Sequence, residues 1–189
     1  MTNQLNLRTF DSATDEEIRH LRRLSYDDPW KPVYHIHPSF GLLNDPNGLA
    51  YYNGEYHVFY QWFPFDAVHG MKHWAHVKSK DLCNWERLDV AITPNEAFEK
   101  NGAYSGAALE VDGNLHLYYT GNVKYEDGGR TANQCVALMM PDGEIRKMDK
   151  PVIEGVPEGY TGHVRDPKVF KKNDRFYICL LYTSPSPRD

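Results

Sequence analysis

A strand pattern that recurs about every 60 residues constrains the fold of this 189-residue chain more than any other feature of its sequence. Hairpin turn signals begin at Asn53, Asp112 and Asn173, so that successive signals are 59 and 61 residues apart. Runs of alternating apolar and polar residues flank these signals, as expected for antiparallel strands. Repeats of this length with about four strands each are typical of β-propeller blades, at the long end of their usual range. We therefore predict an all-β fold built from propeller blades.

The repeat also predicts where individual strands lie. We expect strands at residues 49–52, 55–61, 73–79, 105–111, 115–120, 134–139, 144–148, 166–170 and 175–178, with a short edge strand near 81–86. Residues 44–48 (Asn-Asp-Pro-Asn-Gly) are predicted to form a tight turn before the first strand, because these residue types favour turns.

The chain divides into three predicted segments. Residues 1–33 form an N-terminal extension with one short helix over 15–24, since Thr14 and Glu17 have the form of a capping box. Residues 34–178 contain about two and a half blades, fewer than a closed propeller needs. Residues 179–189 carry Pro185 and Pro187 at alternate positions, which cannot continue a central strand, and we predict a tail that is not native to the domain.

Three polar residues occupy comparable positions in successive repeats. Asp45, Ser105 and Asp166 are separated by 60 and 61 residues, each near the first strand of its repeat. One acid in a turn is usually structural. Because the first strand of every blade lines the central channel, these three side chains are expected to meet at one channel mouth. Such a polar cluster has no folding purpose, so the convergence favours a functional site.

Converging carboxylates suit the cleavage of glycosidic bonds. One acid attacks the anomeric carbon or activates water, and another protonates the leaving oxygen. Arg165 is expected to hold Asp166 ionised and to donate hydrogen bonds to sugar hydroxyls. The side-chain amides of Asn44 and Gln61 can form hydrogen bonds with vicinal hydroxyls of a sugar. Tyr104 offers an apolar face to a sugar ring.

The composition excludes other classes of function. The formal net charge is −5 and no basic run is present, which disfavours a nucleic-acid partner. The three cysteines, Cys83, Cys135 and Cys179, are too sparse for a disulfide framework. We see neither a signal-peptide pattern nor an apolar run of about 20 residues, so we expect a cytoplasmic protein with no membrane partner. Nothing in the sequence indicates an oligomeric state.

A zinc site is suggested only weakly. His69, His73 and His76 are close in sequence, but their segment alternates like a strand rather than a helix. We therefore predict no metal site.

Four motifs, in order, resemble glycoside hydrolase family 32, the invertase and β-fructosidase group. They are residues 44–48 (Asn-Asp-Pro-Asn-Gly), 56–61 (Tyr-His-Val-Phe-Tyr-Gln), 104–108 (Tyr-Ser-Gly-Ala-Ala) and 165–169 (Arg-Asp-Pro-Lys-Val). The resemblance implies a five-bladed propeller followed by a β-sandwich. It also implies hydrolysis of β-fructofuranosides by a retaining double displacement, with no cofactor.

The resemblance implies roles for individual residues. Asp45 is similar to the family's nucleophile. Asp166 is similar to the acid that stabilises the oxocarbenium-like transition state, with Arg165 supporting it. Asn44, Gln61 and Ser105 resemble fructose contacts.

Three details are similar to the bacterial branch of the family that acts on sucrose 6-phosphate. They are residues 69–74, residues 159–163, and Leu42 and Leu43 before the first motif. Leu42 and Leu43 therefore join Tyr104 among the expected substrate-binding residues. The expected ligand is a small sugar or sugar phosphate.

The family's general acid, a glutamate in a later blade, has no matching motif in this sequence. We therefore expect a fragment of a longer enzyme that is inactive by itself. Alternative functions are a β-fructosidase acting on fructans, a related five-bladed glycosidase acting on arabinan or xylan, and a sugar-binding propeller without catalysis.

Overall fold

The computed structural model describes residues 4–26 and 28–182, which form one α-helix and ten β-strands. The helix is α1, Asp15–Tyr26. The strands are β1 (Leu42–Tyr52), β2 (Glu55–Phe63), β3 (His73–Ser79), β4 (Glu86–Arg87), β5 (Ala103–Val111), β6 (Asn114–Lys124), β7 (Arg130–Met139), β8 (Ile145–Lys147), β9 (Arg165–Lys172) and β10 (Arg175–Leu181).

The strands form three antiparallel sheets whose order follows the chain. The first sheet has the order β1-β2-β3-β4, the second has β5-β6-β7-β8, and β9 pairs with β10 in the third. Two complete blades and the first half of a third are therefore present, as the 60-residue pattern predicts. The hairpin signals are confirmed, because Asn53, Asp112 and Asn173 have φ values of 50°, 50° and 49°. Such left-handed conformations are those of hairpin turns.

The prediction of a tight turn at residues 44–48 is wrong. These residues lie inside β1, which runs continuously from Leu42 to Tyr52. The pairing of β1 with β2 shifts register between Leu43 and Pro46 and again between Asn47 and Ala50. Turn-forming residues here produce bulges within a strand, since Pro46 has no N–H to donate and Gly48 has a φ of 53°. A side chain at Gly48 would also collide with Phe59, whose Cδ2 lies 2.7 Å from an ideal Cβ.

The hairpin between β6 and β7 is longer than predicted. β6 extends to Lys124 and β7 begins at Arg130, with the two residues paired across the hairpin. Backbone bonds to the neighbouring loop hold this extension, because the Asn122 N–H donates to the Gly102 carbonyl and the Lys124 N–H donates to Asn101 Oδ1. These long-range contacts are not visible in local sequence patterns.

The main core lies between the first two blades. Its fully buried side chains include Phe59 and Trp74 from the first blade and Leu115, Leu117 and Tyr119 from the second. The indole Nε1 of Trp74 donates to the Tyr104 carbonyl at 3.0 Å. Stacking of blades therefore buries the apolar face that each sheet would otherwise expose.

Helix α1 begins as predicted and ends two residues later than predicted, at Tyr26. The Glu17 N–H donates to Thr14 Oγ1 at 3.2 Å, which is half of a capping box. Ile18 and Leu21 pack against the cluster that contains Tyr60 and Trp62 of the first blade. Leu24, one turn further along the helix, is 67% exposed.

The third sheet extends past the predicted end of the propeller segment. β10 runs to Leu181, so residues 179–181 lie in a strand of the third sheet. Residues 183–189 lie outside the described residues, and their assignment to a non-native tail stays a prediction. None of the helices within the described ranges is long and apolar enough to cross a membrane.

Candidate active site

The first strands of the three blades lie side by side and bring the three predicted residues to one cleft. β5 packs between β1 and β9. Asp45 on β1, Ser105 on β5 and Asp166 on β9 all line a cleft of about 590 Å³. We call it the axial cleft; Asn44, Gln61, Tyr104 and Arg165 also line it. Seven of the nine residues predicted for the site are thus brought together.

A chain of hydrogen bonds connects Asp45 to the amides predicted to grip sugar hydroxyls. Ser105 Oγ donates to Asp45 Oδ2 at 2.6 Å, and Gln61 Nε2 donates to Ser105 Oγ at 2.8 Å. Asn44 Nδ2 then donates to Gln61 Oε1. The chain fixes the carboxylate of Asp45 through side chains from two blades. Within the described residues no hydrogen bond is made to Asp45 Oδ1, so that oxygen is available to react.

Lys72 completes this chain and was missed by the sequence reasoning. Its side chain is 6% exposed, and Nζ donates to Asn44 Oδ1 at 2.7 Å and to His69 Nδ1 at 2.9 Å. Burial lowers the pKa of Lys72 to about 8, although the charge of Asp45 acts in the opposite direction. The sequence signal was a lysine directly before the buried strand β3.

The backbone at Asp166 is held in an uncommon conformation. Its φ is 58°, in the left-handed region that non-glycine residues seldom adopt. The Asp166 N–H donates to Thr120 Oγ1 at 3.0 Å, and Thr120 Oγ1 donates to Gln134 Oε1 at 2.9 Å. Thr120 and Gln134 are buried residues of the second blade, so that blade determines where the carboxylate of the third blade points.

Arg165 and burial shift the pKa of Asp166 in opposite directions. Arg165 Nε lies 3.4 Å from Asp166 Oδ2 and lowers the pKa of that carboxyl, as predicted. Burial is the larger effect, and with the nearby charge of Asp45 it raises the pKa of Asp166 above its usual value. The prediction named a correct contribution but not the dominant one, because burial is not visible from the adjacent arginine.

The two predicted leucines are placed elsewhere. Leu42 and Leu43 do not line the axial cleft. Leu43 packs instead against the apolar cluster of Phe40 and Trp62, on the side of β1 that helix α1 covers. Leu43 pairs with Trp62 just before the register shift of β1, whereas Asn44 and Asp45 lie within the shift and both line the cleft.

Further polar residues line the axial cleft that the sequence had not assigned to the site. They are Asn6, His69, Lys72, Asn101, Lys124, Arg130 and His163. The described ranges contain no group of three or more His, Cys, Asp and Glu residues arranged to hold a metal. Of the three histidines considered for zinc, His73 uses both ring nitrogens in hydrogen bonds to the backbone. Its Nε2 accepts from the Phe10 N–H and its Nδ1 donates to the Met71 carbonyl.

Strands of three propeller blades thus present two carboxylates, two amides and a hydroxyl to one cleft. Residues 35–185 match the model of the glycosyl hydrolases family 32 N-terminal domain. The chain therefore belongs to glycosyl hydrolase family 32.

Curated relatives and a solved structure support this family assignment. Sucrose-6-phosphate hydrolase of Klebsiella pneumoniae is 51% identical over 153 residues, covering 81% of this chain and 32% of the relative. Its counterpart from Bacillus subtilis is 44% identical over 165 residues, covering 87% of this chain and 34% of the relative. The solved structure of sucrose-6-phosphate hydrolase from Lactobacillus gasseri aligns with a TM-score of 0.92 and 41% identity, covering 98% of this chain and 38% of that chain. The chain thus spans about a third of the length of these curated relatives.

Proposed function

We propose that a protein containing this chain hydrolyses the β-fructofuranosidic bond of sucrose 6-phosphate or sucrose by a retaining double displacement. The observation that carries the proposal is the meeting of Asp45, Ser105 and Asp166 in the axial cleft. Relatives named sucrose-6-phosphate hydrolase support the substrate class.

Asp45 is the proposed nucleophile. The carboxylate oxygen not bonded to Ser105 attacks the anomeric carbon of the fructosyl unit, and the bond from that carbon to the leaving oxygen breaks. The leaving oxygen takes a proton from a general acid, which we place outside the described residues. Water then attacks the fructosyl ester, fructose leaves and the Asp45 carboxylate is restored.

Asp166 is the proposed stabiliser of the transition state. Its carboxylate accepts hydrogen bonds from fructose hydroxyls while positive charge develops on the ring. Asn44 and Gln61 hold further hydroxyls, and Lys72 orients Asn44 through its 2.7 Å hydrogen bond. Tyr104 supplies the apolar wall predicted from the sequence.

The test is hydrolysis by a full-length protein that contains this chain, assayed with sucrose, sucrose 6-phosphate and inulin. We expect turnover of the first two and retention of the β-configuration in the fructose first released, measured by NMR. Asp45→Asn is expected to lower kcat by at least about 10³-fold, since removal of a covalent nucleophile leaves only binding and electrostatic effects. Binding of the sugars without turnover by the unmodified protein would instead support the non-catalytic alternative, and preferential turnover of inulin would support a fructan substrate.

A cytoplasmic location is part of the proposal. Cys83, Cys135 and Cys179 are free thiols, which suits a reducing compartment. Fractionation of cells producing the full-length protein tests this location.

A further inference from the structure

The axial cleft carries more positive charge than a neutral sugar requires. It contains two carboxylates, on Asp45 and Asp166, and four side chains that carry positive charge at neutral pH: Lys72, Lys124, Arg130 and Arg165. Two of these cations already have roles. Lys72 donates to Asn44 and His69, and Arg165 contacts Asp166 and His163.

Lys124 and Arg130 are different, because their side chains form no hydrogen bond or ion pair with any residue in the described part of the chain. They occupy paired positions at the end of the β6–β7 hairpin, so both project from one place. The hairpin tip does not neutralise them. Neither of its two acids, Glu126 and Asp127, forms an ion pair with them within the described residues, and Asp127 accepts from the Gly129 N–H at 2.8 Å.

The surroundings hold these two cations toward the site. The Lys124 N–H donates to Asn101 Oδ1 at 2.7 Å, and Asn101 also lines the cleft. Arg130 Cγ lies 2.8 Å from an ideal Cβ at Gly162, so the arginine stem runs closely over a residue that has no side chain. The charge of Arg130 also acts on the Tyr104 hydroxyl, lowering its pKa against the larger raising effect of burial. Arg130 therefore lies near the apolar wall of the cleft.

We propose that Lys124 and Arg130 bind the phosphate of a phosphorylated sugar, namely the phosphomonoester on the leaving-group half of the substrate. This inference rests on the proposed function. With the fructosyl unit at Asp45 and Asp166, the leaving sugar extends toward the remaining wall of the cleft, and two unpaired cations are available there. A phosphomonoester carries about −1.5 to −2 charges at pH 7. The planar guanidinium of Arg130 suits two phosphate oxygens, and the ammonium of Lys124 adds a point charge.

The test compares two substrates in the full-length protein and in its Lys124→Gln/Arg130→Gln variant. We expect KM for sucrose 6-phosphate to rise about 10- to 100-fold, as for loss of charge-assisted hydrogen bonds. KM for sucrose is expected to rise much less, so the ratio of the two kcat/KM values falls at least about 10-fold. For Arg130→Lys, which keeps the charge, this ratio should lie between that of the unmodified protein and that of the double variant. Lys150→Gln, an exposed lysine outside the cleft, is the matched control and should keep the ratio.

A second measurement separates this inference from the proposed function. Calorimetric titration of the unmodified protein with glucose 6-phosphate should show binding that is tighter than that of glucose, and the double variant should lose the difference. If the unmodified protein hydrolyses sucrose but the double variant keeps both the kcat/KM ratio and the binding difference, the phosphate assignment is overturned and the proposed function stands. If the unmodified protein hydrolyses neither sugar, the proposed function fails, and the titration alone decides whether Lys124 and Arg130 bind phosphate.

Discussion

Ser105 Oγ donates a 2.6 Å hydrogen bond to Asp45 Oδ2, and this bond joins residues that are 60 positions apart on the first strands of adjacent blades. A second inter-blade bond runs beside it, from the Gly106 N–H to Asn47 Oδ1 at 3.1 Å. The orientation of the proposed nucleophile is therefore determined by how two blades stack, and not by β1 alone.

Removal of this hydroxyl tests its importance for catalysis. In a full-length protein containing this chain, Ser105→Ala is expected to lower kcat/KM for sucrose about 10- to 100-fold, because a hydrogen bond to a charged group contributes about 1.5–3 kcal/mol. Ser105→Thr keeps a hydroxyl and should retain more activity than the alanine variant. Full activity of Ser105→Ala would show that Asp45 does not depend on the hydroxyl.

Lys72 should make stability depend on pH in the alkaline range. Its pKa is about 8 in the folded chain against an ordinary value of 10.5, so between these pH values the unfolded chain holds a proton that the folded chain has lost. Stability must then rise with pH across this window, by about 1.4 kcal/mol for each pH unit. Urea unfolding between pH 8 and pH 10.5 should show this rise in the unmodified chain relative to Lys72→Met. Lys150→Met, at an exposed position, should show no such difference, and parallel pH curves for the unmodified chain and Lys72→Met would contradict the assignment.

His73 should contribute to acid destabilisation. Burial lowers its pKa to about 4, from an ordinary value of 6.5. As the pH falls from 6.5 toward 4, the unfolded chain gains a proton that the folded chain does not, so stability is lost in this window. His73→Gln can make the same two backbone hydrogen bonds without titrating, and its stability should fall less steeply with acid, as followed by circular dichroism. His20→Gln, on the exposed face of α1, serves as the control, and a slope as steep in His73→Gln as in the unmodified chain would count against the prediction.

A buried ion pair at the start of the second blade should be important for stability. Glu99 is fully buried, accepts a 2.6 Å hydrogen bond from the Tyr119 hydroxyl and pairs with Lys147, whose side chain is 18% exposed. Glu99→Ala is expected to cost about 3–5 kcal/mol of unfolding free energy, because it removes the carboxylate that pairs with Lys147 and leaves the buried Tyr119 hydroxyl without its acceptor.

A double variant and a surface control sharpen this prediction. Glu99→Gln/Lys147→Met should be less destabilised than the sum of its single variants, since it removes both charges together. Glu144→Gln breaks the exposed pair with Arg146 and should change the urea midpoint little. A Glu99→Ala chain with the same midpoint as Glu144→Gln would refute the role of the buried pair.

Local sequence signals were sufficient for most of the strand order. The hairpins at Asn53, Asp112 and Asn173 were predictable because a left-handed turn residue between alternating runs is a short-range signal. The continuous strand β1 was not predictable in this way. Its bulges at Pro46 and Gly48 depend on pairing with β2, and the same residue types form turns where no partner strand is present.

The sequence by itself determined the blade repeat, the three positions Asp45, Ser105 and Asp166, and the family, since each depends on residue type and spacing. Only the tertiary structure decided which side chains share the axial cleft. Lys72, Lys124 and Arg130 enter it through burial and blade stacking, while Leu43 is directed into the apolar cluster under α1. Burial also outweighs Arg165 in setting the pKa of Asp166. The physical reason is that desolvation and contact between blades depend on residues about 60 positions apart, which no local pattern encodes.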